Sequence, residues 1–372
     1  MRALKIRLTD FRNIKEAEIF FSPGVTVVCG DNAEGKTNLL EAIYFASIGK
    51  SFRGQHIGEM LRFGSKEAYL SLDFFGGGRE QNISFALSNG RIRQAEKNRV
   101  KIRRLSEVVG SFRAVLFSPE HLSLIKDGPA ERRQFLDIAI SSAEPLYLAG
   151  LQRYNRILKQ RNKLIKEAPK NPDVFDKTVD IWSAQLALEG AQIAKTRKRY
   201  IEKAAVFVKE CFAEMTGMRE TPELVYQGFA GKDAAIYEDN DKTEKMLYDK
   251  LVANKEREIA AGATLFGIHK DDLEVTLNGR LARSFCSQGQ QRSLALALKI
   301  AESELCRLDC GEYPVLLFDD VLSELDSGRR RYLIEKIKDK QVILTTCEKI
   351  TEEEGLSAAS RILVKDGTYA PF

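Results

Sequence analysis

Leu4, Ile6 and Leu8 alternate with polar residues in the opening segment MRALKIRLTDF, which is the period of a strand rather than of a signal peptide. VTVVCG (Val25 to Gly30) is a near-continuous apolar run ending in glycine and predicts a buried strand that enters a loop. YLSLDFF and NISFAL alternate again on either side of the turn Gly76-Gly77-Gly78, and SNGR (Ser88 to Arg91) marks a further turn. From Pro119 to about Gly262 the period becomes helical. Two long helices are predicted, parted by Pro169 and Pro172, then a short strand at ELVYQGF and a helix over TEKMLYDKLVANKEREIAAG. Strand patterns return in LEVTL, PVLLFDD and QVILTT. There is no internal repeat and no low-complexity segment. The order sheet, helical insertion, sheet predicts one α/β domain split in sequence, with halves at 1–118 and 263–372 and a mainly helical arm inserted at 119–262.

Composition adds little to this picture until charge is read locally. The 372 residues are 44% hydrophobic and 30% charged, with no apolar run long enough for a membrane span. The six scattered cysteines form no CxxC pair, so reduced thiols in a cytoplasmic protein are expected. His56, His121 and His269 show no metal spacing. The net charge is +5, but Leu151 to Arg219 holds fifteen Lys/Arg against eight Asp/Glu. Attraction for a polyanion should therefore concentrate in the arm. On a helical wheel Leu151, Tyr154, Leu158 and Ile165 share one face. Arg153, Arg156, Lys159, Lys163 and Lys166 spread over the other, and Lys195 to Arg199 adds four cations in five residues. By itself such a stripe reads as a solvated helix face; against a polyanion it would touch phosphates without reading sequence.

GDNAEGKT (Gly30, Asp31, Asn32, Ala33, Glu34, Gly35, Lys36, Thr37) fits G-x-x-x-x-G-K-[ST], between an apolar strand and the helical NLLEAIYFA that starts at Asn38. The glycines let backbone amides point at phosphate oxygens. Lys36 supplies a point charge to the β and γ phosphates, and the Thr37 hydroxyl suits Mg²⁺. Far downstream, PVLLFDD (Pro314 to Asp320) is an apolar strand ending in two carboxylates. Asp319 is expected to hold Mg²⁺ and Asp320 to orient an attacking water. A metal shared by Thr37 and Asp319 requires both halves to lie in one sheet.

CSQGQQRSLALALKI (Cys286 to Ile300) places small and amide residues at the head of a helix, before the carboxylates. That order resembles ATP-binding-cassette proteins, whose signature loop is presented to a nucleotide held by a second subunit. The resemblance gives that task to Ser287, Gly289 and Gln290, with ATP joining two protomers. Over nearly its whole length the chain resembles the RecF family of bacterial DNA-repair ATPases, related to the SMC and Rad50 proteins. LTDFRNI, GDNAEGKTNLLEAIY, FSPEHLSLIKDGPAERRQFLD, GIHKDDLEVTLNG, SQGQQRSLALALKIAE and VLLFDDVLSELDSGRR carry the resemblance. It implies that Arg12 and Asn32 contact nucleotide, that SELD (Ser323 to Asp326) crosses a dimer interface, and that FSPE (Phe117 to Glu120) links the γ-phosphate to the insertion.

It further implies an ATP-dependent homodimer that binds duplex DNA near single-strand gaps, acts with RecR and RecO, and helps to load RecA in repair, replication restart and the SOS response. Ala33 departs from the glycine usual in related ATPases, and Asp320 from a glutamate one methylene longer. The shorter carboxylate predicts slow hydrolysis, a timer rather than a motor. The rival readings are the ATPase subunit of a membrane importer, another SMC-like or Rad50-like chromosome-maintenance ATPase, and a nuclease-coupled ATPase. An importer does not need the basic arm, an insertion of this length is too short for a long coiled coil, and no separate acidic cluster suggests a nuclease.

Overall fold

A computed structural model describes residues 1–54, 56–217, 220–231, 234–347 and 360–372. Along the chain, β1 (Arg2–Phe11) and β2 (Ile14–Phe20) form a hairpin, and β3 (Val25–Cys29) runs into α1 (Lys36–Ile48). Then follow β4 (Glu67–Gly76), β5 (Arg79–Ser88), β6 (Arg91–Lys97), β7 (Val100–Lys101) and β8 (Ala114–Phe117). The next stretch holds α2 (Ser123–Lys126), α3 (Pro129–Ala143), α4 (Pro145–Glu167), α5 (Pro172–Thr216) and β9 (Pro222–Gln227). It continues through α6 (Asn240–Ala253), α7 (Lys255–Ala261), β10 (Asp272–Leu277), β11 (Arg280–Leu281) and α8 (Ala282–Phe285). The chain closes with α9 (Gln288–Cys310), β12 (Val315–Asp319), α10 (Ser327–Ile337), β13 (Val342–Thr346), β14 (Ser360–Lys365) and β15 (Thr368–Pro371).

The chain divides into two compact units. The first comprises Met1–Leu122, Cys211–Arg219 and Arg292–Phe372. It holds an antiparallel sheet ordered β2-β1-β4-β5-β6-β7 and a second sheet ordered β15-β14-β3-β13-β12-β8. In the second sheet β3, β8, β12, β13 and β14 run parallel, and β15 pairs antiparallel with β14. Strand β3 from the beginning of the chain thus shares a sheet with β12, β13 and β14 from its end, as the split-domain expectation requires. Helix α1 is buried on nearly all sides, because parallel strands need apolar cover. Its Leu39, Leu40, Ile43 and Phe45 join one core with Ile6, Leu8, Phe74 and Phe85 of the antiparallel sheet and Leu317 and Ile343 of the other. Phe45 meets Phe85 edge-on at 4.9 Å.

The second unit comprises Ser123–Glu210 and Glu220–Gln291. Here Tyr154 and Ile165 of α4 are buried, Leu151 and Leu158 half-buried, and Arg153, Arg156, Lys159, Lys163 and Lys166 exposed, the division expected from the helical wheel. Gly190 lets α5 approach closely: a Cβ there would lie 2.8 Å from the Leu247 side chain. The residues 263–291, expected with the head, cluster here instead. Strand β10 pairs antiparallel with β9, with Leu273 opposite Tyr226, and Asp272 receives the Arg132 guanidinium at 2.7 and 3.0 Å.

His269 sits in this unit between two partners. Its Nε2–H donates to the Thr264 carbonyl at 3.0 Å, and its Nδ1 lies 2.8 Å from the Tyr154 hydroxyl, from which it accepts while the ring is neutral. Burial pushes its pKa down to about 4 from the ordinary 6.5, against the Thr264 hydrogen bond. Unfolding therefore takes up a proton between those values. The stability that His269 contributes is complete above 6.5 and is lost as pH falls toward 4. Unfolding of wild type and His269→Gln should diverge in slope over that window, wild type losing on the order of 3 kcal/mol more. Asp271 titrates with the opposite sign, so the difference between the two proteins is the informative quantity. Parallel pH profiles would show that the ring is not held neutral.

Candidate functional site

Three parallel strands set the site. Asp319 at the end of β12 is in register with Thr345 of β13, and Thr346 of β13 with Cys29 at the end of β3. All three strands therefore release their chains at one edge, where the loop 30–35 turns into α1. Gly35 caps α1 at φ 116°, a conformation that glycine adopts without cost, and a Cβ there would strike Asn13 Oδ1 at 2.8 Å. Ala33 is also left-handed, at φ 68°. A glycine would fit it more easily, so this departure from related ATPases carries roughly 1–2 kcal/mol of backbone strain.

Lys36 is buried, and its ammonium donates to the carbonyls of Gly30 at 2.7 Å and Asp31 at 2.8 Å. It also lies 3.1 Å from Cys347 Sγ, which in turn donates to Asn32 Oδ1 at 2.8 Å. The Thr37 hydroxyl donates to Asp319 Oδ1 at 2.8 Å, joining segments 282 residues apart, and Thr345 Oγ1 meets the same oxygen at 2.9 Å. Among the described residues Asp319 Oδ2 has no partner. Burial raises the Asp319 carboxyl above its ordinary range, opposed by Thr37, Thr345 and the charge of Arg53. A carboxylate oxygen left open beside a hydroxyl oxygen is the hard donor set that suits Mg²⁺.

Asp320 is left-handed at φ 50°, its N–H donating to Thr345 Oγ1 at 3.1 Å and its carbonyl accepting from Ser323 Oγ at 2.7 Å. Asp is enriched in that conformation, so the backbone favours it over the longer glutamate. Asp31, Glu34 and Asn38 line the same loop. The Glu34 carbonyl accepts from Asn13 Nδ2 at 2.9 Å, and Asn38 Nδ2 donates to Asn13 Oδ1 at 2.8 Å. Arg12 is engaged: its fork binds fully buried Glu41 at 2.8 and 2.6 Å, and Nη1 donates to the Glu59 carbonyl at 2.6 Å. Two N–H groups remain for any other partner.

Arg53 carries no mark in the sequence, and nothing there singles out Glu120 within FSPE. Arg53 donates to Asn38 Oδ1 at 2.7 Å and sits 3.8 Å from Glu41, and its charge opposes the rise that burial gives the Asp319 and Glu120 carboxyls. Burial and then the charge of Asp319 push the Glu120 carboxyl up. Of the FSPE residues, Glu120 is thus the one whose charge reaches the candidate metal carboxylate. A loop arginine and a carboxylate just past an apolar run have no spacing that distinguishes them. His121 is structural, accepting the Ser118 N–H at 3.0 Å.

Ser287, Gly289 and Gln290 belong to the second unit. Ser287 and Gln290 form a reciprocal cap at the head of α9: Ser287 N–H donates to Gln290 Oε1 at 2.7 Å, and Gln290 N–H to Ser287 Oγ at 3.3 Å. Gln290 Nε2 also donates to Glu220. The cap presents this loop at a helix N-terminus.

The basic arm needs one correction. Lys195 to Arg199 is not an open cationic patch. Arg197 is 1% exposed and binds Asp137, Asp271, the Tyr147 hydroxyl and the Ile268 carbonyl. Lys198 pairs with Glu202 and Glu238, Lys195 donates to the Glu238 carbonyl, and Arg199 pairs with Glu144. Charge counting could not see these carboxylates, most of which come from other elements. On α4, Arg156, Lys159 and Lys166 have no ion pair among the described residues, so the exposed stripe rests on that helix.

A phosphate cradle and a strand-end carboxylate at one edge of a parallel sheet, with a helical insertion between them in sequence, define a P-loop ATPase head of the cassette type. Residues 3–368 match the family described as the RecF/RecN/SMC N terminal domain. The Smc head domain of Pyrococcus furiosus shares the fold, at TM-score 0.57 and 19% identity over 100% of this chain and 96% of that one. The match sharpens to one family: the DNA replication and repair protein RecF of Lachnospira eligens is 39% identical over 341 residues, 91% of each chain. That of Ruminiclostridium cellulolyticum is 37% identical over 346 residues. A solved structure of the recombination mediator protein RecF-ATPrS in the RecFOR pathway superposes at TM-score 0.90 with 32% identity, over 100% of this chain and 98% of that one. The chain belongs to the RecF family.

Proposed function

We propose that this protein is an ATP-dependent DNA-binding switch of recombinational repair and replication restart. The observation that carries the reading is the Thr37–Asp319 hydrogen bond beside the Lys36 ammonium, which puts a phosphate cradle and a metal carboxylate at one point. Thr37 and Asp319 would hold Mg²⁺, which when bound offsets phosphate charge and aligns the transfer. Lys36, now satisfied by loop carbonyls, would turn its charge to the β and γ phosphates, and the amides of residues 30–38 would cradle them. Asp320 would orient the attacking water and accept its proton. Ser287, Gly289 and Gln290 would close over the nucleotide of a second copy, so that ATP favours a dimer and hydrolysis releases it. The exposed α4 cations would meet duplex phosphates near single-strand gaps. RecF structures described within a RecFOR pathway support action with RecR and RecO, and through them on RecA loading.

Asp320→Asn keeps the backbone conformation and removes the base. It should bind a fluorescent ATP analogue as wild type does and turn over about 10²-fold more slowly. Wild type itself should stay below ~10 s⁻¹ with DNA present, the pace of an ordinary enzyme. Faster turnover, or an unaffected variant, would remove Asp320 from the assigned role and the timer with it.

A further inference from the structure

Between α4 and α5, within the arm, lies a groove of about 460 Å³. Ile157 and Leu188 contribute its apolar walls, and Trp182, the single tryptophan of the chain, is half-buried in it. Arg153 and Glu189 on its border neutralise each other, bonded at 2.5 and 3.0 Å. The polar groups left are Arg156, Gln160, Gln185 and the Trp182 indole N–H, and none has a hydrogen-bond or ion-pair partner among the described residues. They share a chemistry. An indole and a guanidinium each offer a flat face to a ring, and each carboxamide sets a donor beside an acceptor, as a nucleobase edge does. Charge selects an anion. Of the six cations of α4, Arg153, Arg161 and Lys163 pair with Glu189, Glu258 and Glu167, which leaves Arg156, Lys159 and Lys166 exposed and without an ion pair among the described residues.

We infer that this groove binds an unpaired nucleotide of a DNA strand, its base against Trp182 and Arg156, its edge read by Gln160 and Gln185, and its phosphate on Lys159. An acidic peptide would satisfy the cations, the aliphatic walls and, through its backbone amides, the carboxamides, but an aliphatic side chain would offer no flat ring to the indole and guanidinium faces. The inference rests on the DNA-binding reading and deepens it: Arg156 and Lys159 of the α4 stripe would serve the single strand where it leaves the duplex.

Trp182 reports on the site in the intact protein without a label. With ATP and Mg²⁺ present, oligo(dT) and a duplex with a single-stranded tail should quench its fluorescence, and a blunt duplex should not. The double variant Gln160→Ala/Gln185→Ala, altered only at exposed positions, should bind the tailed duplex at least roughly ten-fold more weakly and the blunt duplex as before. Filter retention of the same DNAs runs in parallel. If the DNAs are retained with no change in fluorescence, or with the variant equal to wild type on the tailed duplex, the groove is not the strand site, although the DNA reading stands. If no DNA is retained, both readings fail. Fluorescence that responds to a Glu- and Leu-containing peptide and not to oligo(dT) makes the groove a protein-docking site and overturns the inference.

Discussion

Lys36→Met should lower ATP turnover by two to three orders of magnitude while leaving the fold intact. The side chain is buried, and its charge is held by two carbonyls of its own loop, at 2.7 and 2.8 Å, and by Cys347 Sγ at 3.1 Å. These are weak substitutes for phosphate oxygens, so the ammonium is poised rather than spent. A methionine occupies the same space without charge, and the loop carbonyls can turn to water. Removing one donor aimed at developing charge costs ~10²–10³ in rate. The measurement is steady-state phosphate release, with thermal unfolding as the control. Turnover within a few-fold of wild type would mean that Lys36 is a structural lysine and the loop no phosphate cradle.

Arg197→Met should destabilise the arm by about 3–5 kcal/mol, and Arg199→Ala, two residues away, by less than ~1 kcal/mol. The contrast follows from where the carboxylates lie. Arg199 meets Glu144 in solvent, with both side chains more than a third exposed. Arg197 is sealed in with Asp271, whose carboxylate keeps among the described residues one side-chain hydrogen bond, from the Tyr226 hydroxyl, if the guanidinium goes. Burial already pushes the Asp271 carboxyl up to about 6, with Arg197 and Tyr226 holding it down. Without Arg197 that carboxyl must take up a proton to stay buried, so the loss should be greatest near neutrality and ease as pH falls. Denaturant unfolding followed by Trp182 fluorescence measures both variants. Equal small losses would show that the buried network contributes little.

The elements with a strong hydrophobic period are legible in the amino-acid sequence: β1, β3, β4, β5, β12 and β13, and the long α4 and α5. Strands β6, β8, β14 and β15 are not. Arg91–Lys97 and Thr368–Pro371, for example, are nearly all polar or exposed and gain their order from pairing with a neighbouring strand. The helix expected over residues 243–262 is broken at Asn254, whose side chain bonds back to the Lys250 carbonyl at 2.8 Å. In the site, the G-x-x-x-x-G-K-[ST] loop, Thr37 and the strand-end aspartates are legible because the motif has a fixed spacing and the carboxylates end an apolar run, and Thr37 and Asp319 meet at one sheet edge. Arg53 and the Glu41 partner of Arg12 are not, since each acts through a contact that no spacing encodes, and within FSPE nothing singles out Glu120. The same blindness makes Lys195 to Arg199 look like an open basic run.

Sedimentation velocity of wild type and Ser287→Arg, each with ATP and with ADP, decides whether the loop at the head of α9 joins two copies across a bound nucleotide. Wild type should sediment as a dimer with ATP and a monomer with ADP, and Ser287→Arg as a monomer with both, since an arginine in the cap at the head of α9 blocks approach to a partner's nucleotide. A variant that dimerises with ATP as fully as wild type would contradict the account.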